Sequence, residues 1–247
     1  MQLRSGKSFQ LGLVLALALS PGCQAPLEAW NRSMFAVNEA IDDAVLEPVA
    51  KGYRAVIPDR MRAGISNFFD NALSVETIAN DLLQGEFARG GTAFLRFAIN
   101  TLVGFGGIFD PASEMGLEEH REDFGQTLAV WGVPSGPYVV LPLLGPSTLR
   151  DSTRYPVAWF AAPWRYAGGF DGEEAMRALQ FIDQRGRAQL ALDVRDDSAI
   201  DPYLFTKEAW LQRRAFDIEN RDAEPIQEDT QAEDDELDDL LDGLDDF

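Results

Sequence analysis

The chain has 247 residues, 46% hydrophobic and 11% aromatic, with a formal net charge of −20; this suits one or two domains with a sizeable core and excludes disorder throughout. Setting aside the 13 acidic residues of 222–247, a stretch without Lys or Arg, and the two basic residues of the leader leaves −9 for residues 23–221. So acidic a body, with no run of Lys and Arg, excludes nucleic-acid binding and attachment to an anionic leaflet through a polybasic patch.

Residues 1–22 read as a secretory signal, with Arg4 and Lys7 ahead of an apolar run from Phe9 to Leu19. That run is too short to cross a bilayer, which takes ~20 apolar residues. Cys23, the one cysteine, follows directly. A lipobox places small residues before a Cys that receives a diacylglyceryl group and then becomes the new N-terminus. Gly22 fits that pattern, Ser20 and Pro21 depart from it, and Leu19 stands one position early. Lipidation of Cys23 is therefore expected. The alternative is a cut after Ala18 or Ser20, leaving a free thiol that is out of place in an oxidising compartment. Gln24 stands where Asp would mark inner-membrane retention, which favours the outer membrane. No other segment reaches transmembrane length, so an anchor and amphipathic helices must hold the protein at a membrane.

Helical spacing dominates the chain beyond Cys23. Met34, Val37, Ile41, Val45 and Val49 recur at three or four residues within Leu27–Val56, where Pro48 predicts a kink. Pro58 opens a segment carrying Met61, Ile65, Phe68 and Phe69, and helices are predicted over Val75–Gln84 and Phe87–Leu102 with Gly85 between them. Further helices are predicted over Glu173–Val194 and, after Asp201-Pro202, to Phe216. The middle differs. Residues 104–111 form an apolar glycine-rich turn, and 131–146 crowd four prolines among Val, Leu and Tyr, which excludes a regular helix and a central strand. Apolar, irregular chain of this kind must be buried or must face something greasy. In the tail, Leu237, Leu240, Leu241 and Leu244 keep helical spacing, yet its composition reads as solvated and disordered, with a partner-docking helix as the alternative.

No hydrolase site emerges. Gly64-Ile65-Ser66 and Gly145-Pro146-Ser147 lack the closing glycine of a nucleophile elbow. His120, the one histidine, lies in a charged stretch whose spacing to Glu118 or Asp123 matches no metal motif and reads as a surface turn. Gly104-x-Gly106-x-x-Phe109 follows a predicted helix, where a dinucleotide loop requires a strand. Buried ion pairs through Arg96, Arg150 or Arg154 are expected to be structural. No enzyme, metal or cofactor is expected.

Several stretches, in order and spread over about residues 27–215, together resemble the MlaA (VacJ) lipoprotein family. Among them are Asn31-Arg32-Ser33-Met34-Phe35, Gly64-Ile65-Ser66-Asn67-Phe68-Phe69, Arg96-Phe97-Ala98-Ile99-Asn100-Thr101, and Gly136-Pro137-Tyr138-Val139-Val140-Leu141-Pro142-Leu143-Leu144-Gly145-Pro146. The resemblance implies a mainly α fold: a ring-like bundle of amphipathic helices around an amphipathic channel, with an irregular Gly/Pro-rich middle. It implies domains at 1–22 (signal peptide), 23–221 (helical domain) and 222–247 (acidic tail). It further implies a lipid-anchored protein in the inner leaflet of the outer membrane, on its periplasmic side. There it would take mislocalised phospholipids from the outer leaflet, associate with a trimeric porin, and pass lipid to a soluble periplasmic carrier without catalysis. By the same analogy, channel or gating duties fall on Asn38, on the turn Val103, Gly104, Phe105, Gly106, Gly107, Ile108 and Phe109, and on Leu141, Leu143 and Leu144.

Overall fold

A computed structural model of the protein describes residues 21–167 and 169–219; most of the expected leader, the acidic tail from Asp222 and the side chain of Cys23 lie outside the described residues. The described chain is mostly helical. Helix α1 (Pro21–Ile41) runs through one π-helical turn (Asp42–Leu46) into α2 (Glu47–Val56), which carries Pro48 in its first turn. Proline has no N–H and crowds the carbonyl four residues back. The widened turn ahead of Pro48, closed by the Glu47 N–H donating to the Asp42 carbonyl, absorbs that mismatch without ending the helix.

Helix α3 spans Asp59–Gln84 without interruption, where the spacing predicted two pieces. It ends at Gly85 in the left-handed region (φ +83°), with Gly85 N–H donating to the Leu82 carbonyl and Glu86 N–H to that of Asp81. This is the paired closure that glycine permits at a helix C-terminus. Helix α4 (Phe87–Leu102), as predicted, folds back on α3. Short helices α5 (Pro111–Glu114) and α6 (Phe124–Val130) come next, each with an Asp at its N-cap; Asp123 and Gln126 form a reciprocal capping box.

The Pro-rich middle contains an antiparallel hairpin of β1 (Tyr138–Leu141) and β2 (Gly145–Thr148), with Val140 opposite Pro146 and Leu141 opposite Gly145. In a sheet of two strands both are edges, so Pro146 removes no ladder bond that a third strand would need. After a 3-10 turn (Asp151–Thr153) come α7 (Arg154–Ala161), α8 (Trp164–Ala167), α9 (Gly169–Arg187), α10 (Gln189–Ser198) and α11 (Pro202–Glu219). The single helix predicted over 173–194 is divided at Ala188, two residues past Gly186.

Packing closes a circuit. Helix α1 packs on β1, β2 on α11, α11 on α6, α6 on α3, α3 on α9, and α9 on α2, which returns to α1 through the π turn. A small apolar core sits to one side, where Phe69, Ala162 and Trp164 meet Ile65, Phe68 and Met176. Elsewhere burial runs opposite to the usual order. Among the described residues the buried set holds 16 polar or charged side chains and eight hydrophobic ones, while 33 large hydrophobics are exposed. No described helix is long and apolar enough to cross a membrane.

Candidate functional site

The residues singled out from the sequence fall into two groups, each held by a different helix. Asn38, seven residues after Asn31, shares a face of α1 with it, because seven residues make two helical turns. Asn31 donates to the Tyr138 carbonyl (3.0 Å) and accepts from the Val140 N–H (2.8 Å). Asn38 donates to the Leu141 carbonyl (2.9 Å) and accepts from the Leu143 N–H (2.8 Å). A side-chain amide offers both a donor and an acceptor, so each asparagine satisfies one unpaired stretch of hairpin backbone. The Tyr155 hydroxyl adds a bond to the Leu144 carbonyl (3.0 Å). Held this way, the hairpin turn exposes Leu143, at φ +63°, and Leu144, while Leu141 is half-buried.

The second group is the glycine-rich turn after α4. Gly104 is buried where a Cβ would come within 2.3 Å of the Phe109 carbonyl oxygen, and Gly107 (φ +94°) would drive one to 2.5 Å from Cβ of Asn71. Bonds from Gly106 N–H to the Thr101 carbonyl (2.9 Å), Gly107 N–H to that of Asn100 (2.8 Å) and Phe109 N–H to that of Gly104 (2.9 Å) knit the turn to the helix end. Asn67 donates to the Ile108 carbonyl from α3 (3.2 Å). The turn presents Val103, Phe105, Ile108 and Phe109 outward, beside Leu102 at 83% exposure. It is a pinned apolar knob, with Gly106 as the glycine in open space.

Beneath the knob lies a polar cluster. The Arg96 guanidinium donates to Asp110 (3.0 Å), to Ser113 Oγ (3.1 Å) and to the Leu117 carbonyl, and Asn100 donates to Asp110 (2.8 Å) while accepting from Ala112 N–H (3.1 Å). Burial pushes the Asp110 carboxyl upward, but hydrogen bonds from Ser113 and Asn100 and the Arg96 charge outweigh it and hold the group below the ordinary range. These groups also line a small polar cleft with Asn67, Asp70 and Asn71.

The ion pairs foreseen for three arginines form: Arg96 with Asp110, Arg150 with Asp151 (3.1 Å) and Arg154 with Asp123 (3.7 Å). Sequence reading missed Arg214, which is buried and bridges Asp123 (2.7 Å) and Asp151 (2.9 Å), joining α11 to the middle of the chain. The capping-box spacing Asp123-x-x-Gln126 was the legible signal there. His120 is no free surface residue: its Nε2 lies 2.8 Å from Oδ2 of the fully buried Asp81. Ser66 donates to Asp183 (2.9 Å), and the buried Ser147 donates to the Thr148 carbonyl (3.2 Å). Among the described residues no group of three His, Cys, Asp or Glu is placed to hold a metal. The arrangement suits passage or binding of an amphipath, with hydrogen-bonding groups inside and apolar projections at the turns.

Comparison with known proteins places this arrangement. Residues 24–217 match the family described as MlaA lipoprotein. The intermembrane phospholipid transport system lipoprotein MlaA of Escherichia coli is 34% identical over 248 aligned positions, 88% of this chain and 94% of that protein. A Rickettsia typhi protein is 34% identical over 195 residues, 78% of each. A solved structure reported as "Structural basis for maintenance of bacterial outer membrane lipid asymmetry" superposes with a TM-score of 0.68 at 35% identity, over 78% of this chain and 98% of that one. With the match spanning most of the chain and the helical circuit, hairpin and glycine turn all lying inside it, the protein belongs to the MlaA lipoprotein family.

Proposed function

We propose that this protein is an outer-membrane lipoprotein that removes mislocalised phospholipids from the outer leaflet and passes them to a soluble periplasmic carrier, maintaining lipid asymmetry without making or breaking covalent bonds. Family membership supports the reading, and the inverted burial carries it. Placed in water, the most exposed of the 33 large hydrophobics would each forgo up to roughly 1.5–3 kcal/mol of burial, and the half-exposed ones part of it. Set in the hydrocarbon of one leaflet they forgo little, and the 16 buried polar side chains are kept from lipid inside the protein. A phospholipid crossing unaided drags a charged head through hydrocarbon; a polar passage inside the ring removes much of that cost.

In this reading acyl chains on Cys23 anchor the body (23–221) in the inner leaflet, on the periplasmic side, after removal of 1–22. The polar faces of α3 and α4 attend the head group. The knob at Val103–Phe109 and the hairpin turn at Leu141–Leu144, held by Asn38, border the passage and gate it. A trimeric porin is the membrane partner against which the apolar exterior seats, and the acidic tail (222–247) stays in the periplasm. The test is deletion of the gene followed by labelling of surface phospholipid with a membrane-impermeant amine reagent. Outer-leaflet phospholipid is expected to rise and to return to its starting level on complementation; an unchanged level would leave only an adaptor role.

A further inference from the structure

A cavity of about 270 Å³ opens between the end of α2, the first turns of α3, and the junction of α9 with α10. Three arginines line it, Arg54, Arg62 and Arg187, against the single carboxylate of Asp183. That carboxylate is already satisfied. Asp183 is buried and accepts from the Tyr53 hydroxyl (3.1 Å), from Ser66 Oγ (2.9 Å) and from Arg187 Nε (3.1 Å). Arg187 is held in turn by Asp70 at 2.9 Å. Among the described residues the exposed Arg54 is left unpaired and Arg62 is only partly paired. Arg54 makes no hydrogen bond or ion pair among the described residues. Arg62 reaches the solvent-exposed Asp59 through Nη2, yet its Nε is buried with no acceptor.

A buried guanidinium donor without an acceptor is costly, and an anion with several oxygens would satisfy it. Guanidinium groups present planar, forked donors that match a phosphate better than a point charge does. The walls combine these charged groups with apolar surface from Ala63 and Leu190. Leu190 belongs to the lining and is 76% exposed. Pockets that enclose a whole small molecule run from roughly 300 Å³ upward, so this one accepts a glycerophosphate head and leaves two acyl chains outside.

We propose that this cavity binds the phosphodiester of a phospholipid, with Arg54 and Arg62 donating to its non-bridging oxygens and the acyl chains leaving past Leu190. The proposal rests on the phospholipid reading above and adds the place where the head group is recognised. Free inorganic phosphate shares the same chemistry, so the test carries both. The purified full-length protein in detergent is titrated calorimetrically with dihexanoylphosphatidylethanolamine, with inorganic phosphate and with dihexanoylglycerol. Wild type is compared with Arg54→Gln, Arg62→Gln and, as a control distant in sequence, Arg213→Gln. Arg54 has no partner to lose, so its substitution leaves the fold in place, which an unchanged melting curve verifies.

The expected result is binding of the phospholipid by wild type and the control, weakened by about tenfold to a hundredfold in each cavity variant, as loss of one charge-assisted hydrogen bond implies. Dihexanoylglycerol, which lacks the phosphate, is expected not to bind. Equal phospholipid affinity in wild type and Arg54→Gln overturns the cavity assignment and leaves transport standing. Phosphate binding as tightly as the phospholipid makes this a free-anion site and overturns the lipid assignment, as does an absence of phospholipid binding. The transport reading falls by a separate result, the unchanged outer leaflet in the deletion strain.

Discussion

Glu76 of α3 is mostly enclosed, and its Oε1 has no hydrogen-bond partner. Burial and the charge of Asp123 push its pKa up to about 7 against partial relief from Arg154. Between the ordinary value of 4.5 and about 7 the unfolded chain has lost a proton that the folded protein keeps, so stability falls as pH rises through that window and is flat above it. Glu76→Gln supplies a neutral side chain of the same shape. The variant is expected to gain about 1–3 kcal/mol over wild type at pH 8 and to lose the slope below pH 7. Denaturant midpoints at pH 5 and pH 8 decide it, and parallel profiles for the two proteins would refute the assignment. Residues like this one were not legible in the sequence. The partners of Asp81 and Arg214 lie 39 and 91 residues away, at His120 and Asp123, and beyond the capping-box spacing at Asp123 nothing local announces either pair. Asn38 was legible only through resemblance, because its hydrogen bonds go to backbone 103 and 105 residues distant.

Elements were easier where local chemistry and tertiary context agree. Helix α4 and its punctuation by Gly85 read directly from spacing, and Pro48 gave notice of the π turn. The apolar spacing reads as two pieces, one from Pro58 through Phe69 and one over Val75–Gln84, with residues 70–74 between them. The helix continues there, with Asn71 donating across to Thr101 of α4 (2.9 Å) and Ser74 returning its hydroxyl to the Asp70 carbonyl (3.0 Å). The hairpin was hidden because α1, a hundred residues upstream, supplies the bonds its backbone needs. At the glycine turn the sequence showed permissiveness, and the structure shows which glycines are obligatory. Gly104→Ala places a methyl 2.3 Å from one carbonyl oxygen and 2.5 Å from another, and is expected to cost at least ~2 kcal/mol. Gly106, at φ +74° in open space, suits asparagine, which tolerates the left-handed region, so Gly106→Asn is expected to stay within ~1 kcal/mol of wild type. Thermal midpoints of the two variants separate these outcomes. A Gly104→Ala protein melting like wild type would mean that the turn is not pinned.

For the whole molecule, the decisive question is which solvent the exterior meets. Exposed apolar groups on a water-facing surface are replaceable, since surface substitutions usually change stability by no more than ~0.5 kcal/mol. The same groups in hydrocarbon each contribute roughly 1.5–3 kcal/mol to holding the protein at the membrane. Leu102 and Phe105, at 83% and 78% exposure, stand on the knob after α4 and make the two cases distinguishable. The anchor must first be removed, because acyl chains would mask any change in the body; Cys23→Ser, expressed without residues 1–22, does this. In that background Leu102→Asp with Phe105→Asp is expected to leave the melting midpoint in detergent nearly unchanged. Partition into phospholipid vesicles, measured by co-sedimentation, is expected to fall by about a hundredfold or more, the combined loss of two buried apolar side chains. If the double variant sediments with vesicles as well as its parent, the knob faces water, protein or the passage, and its own immersion in the leaflet is wrong.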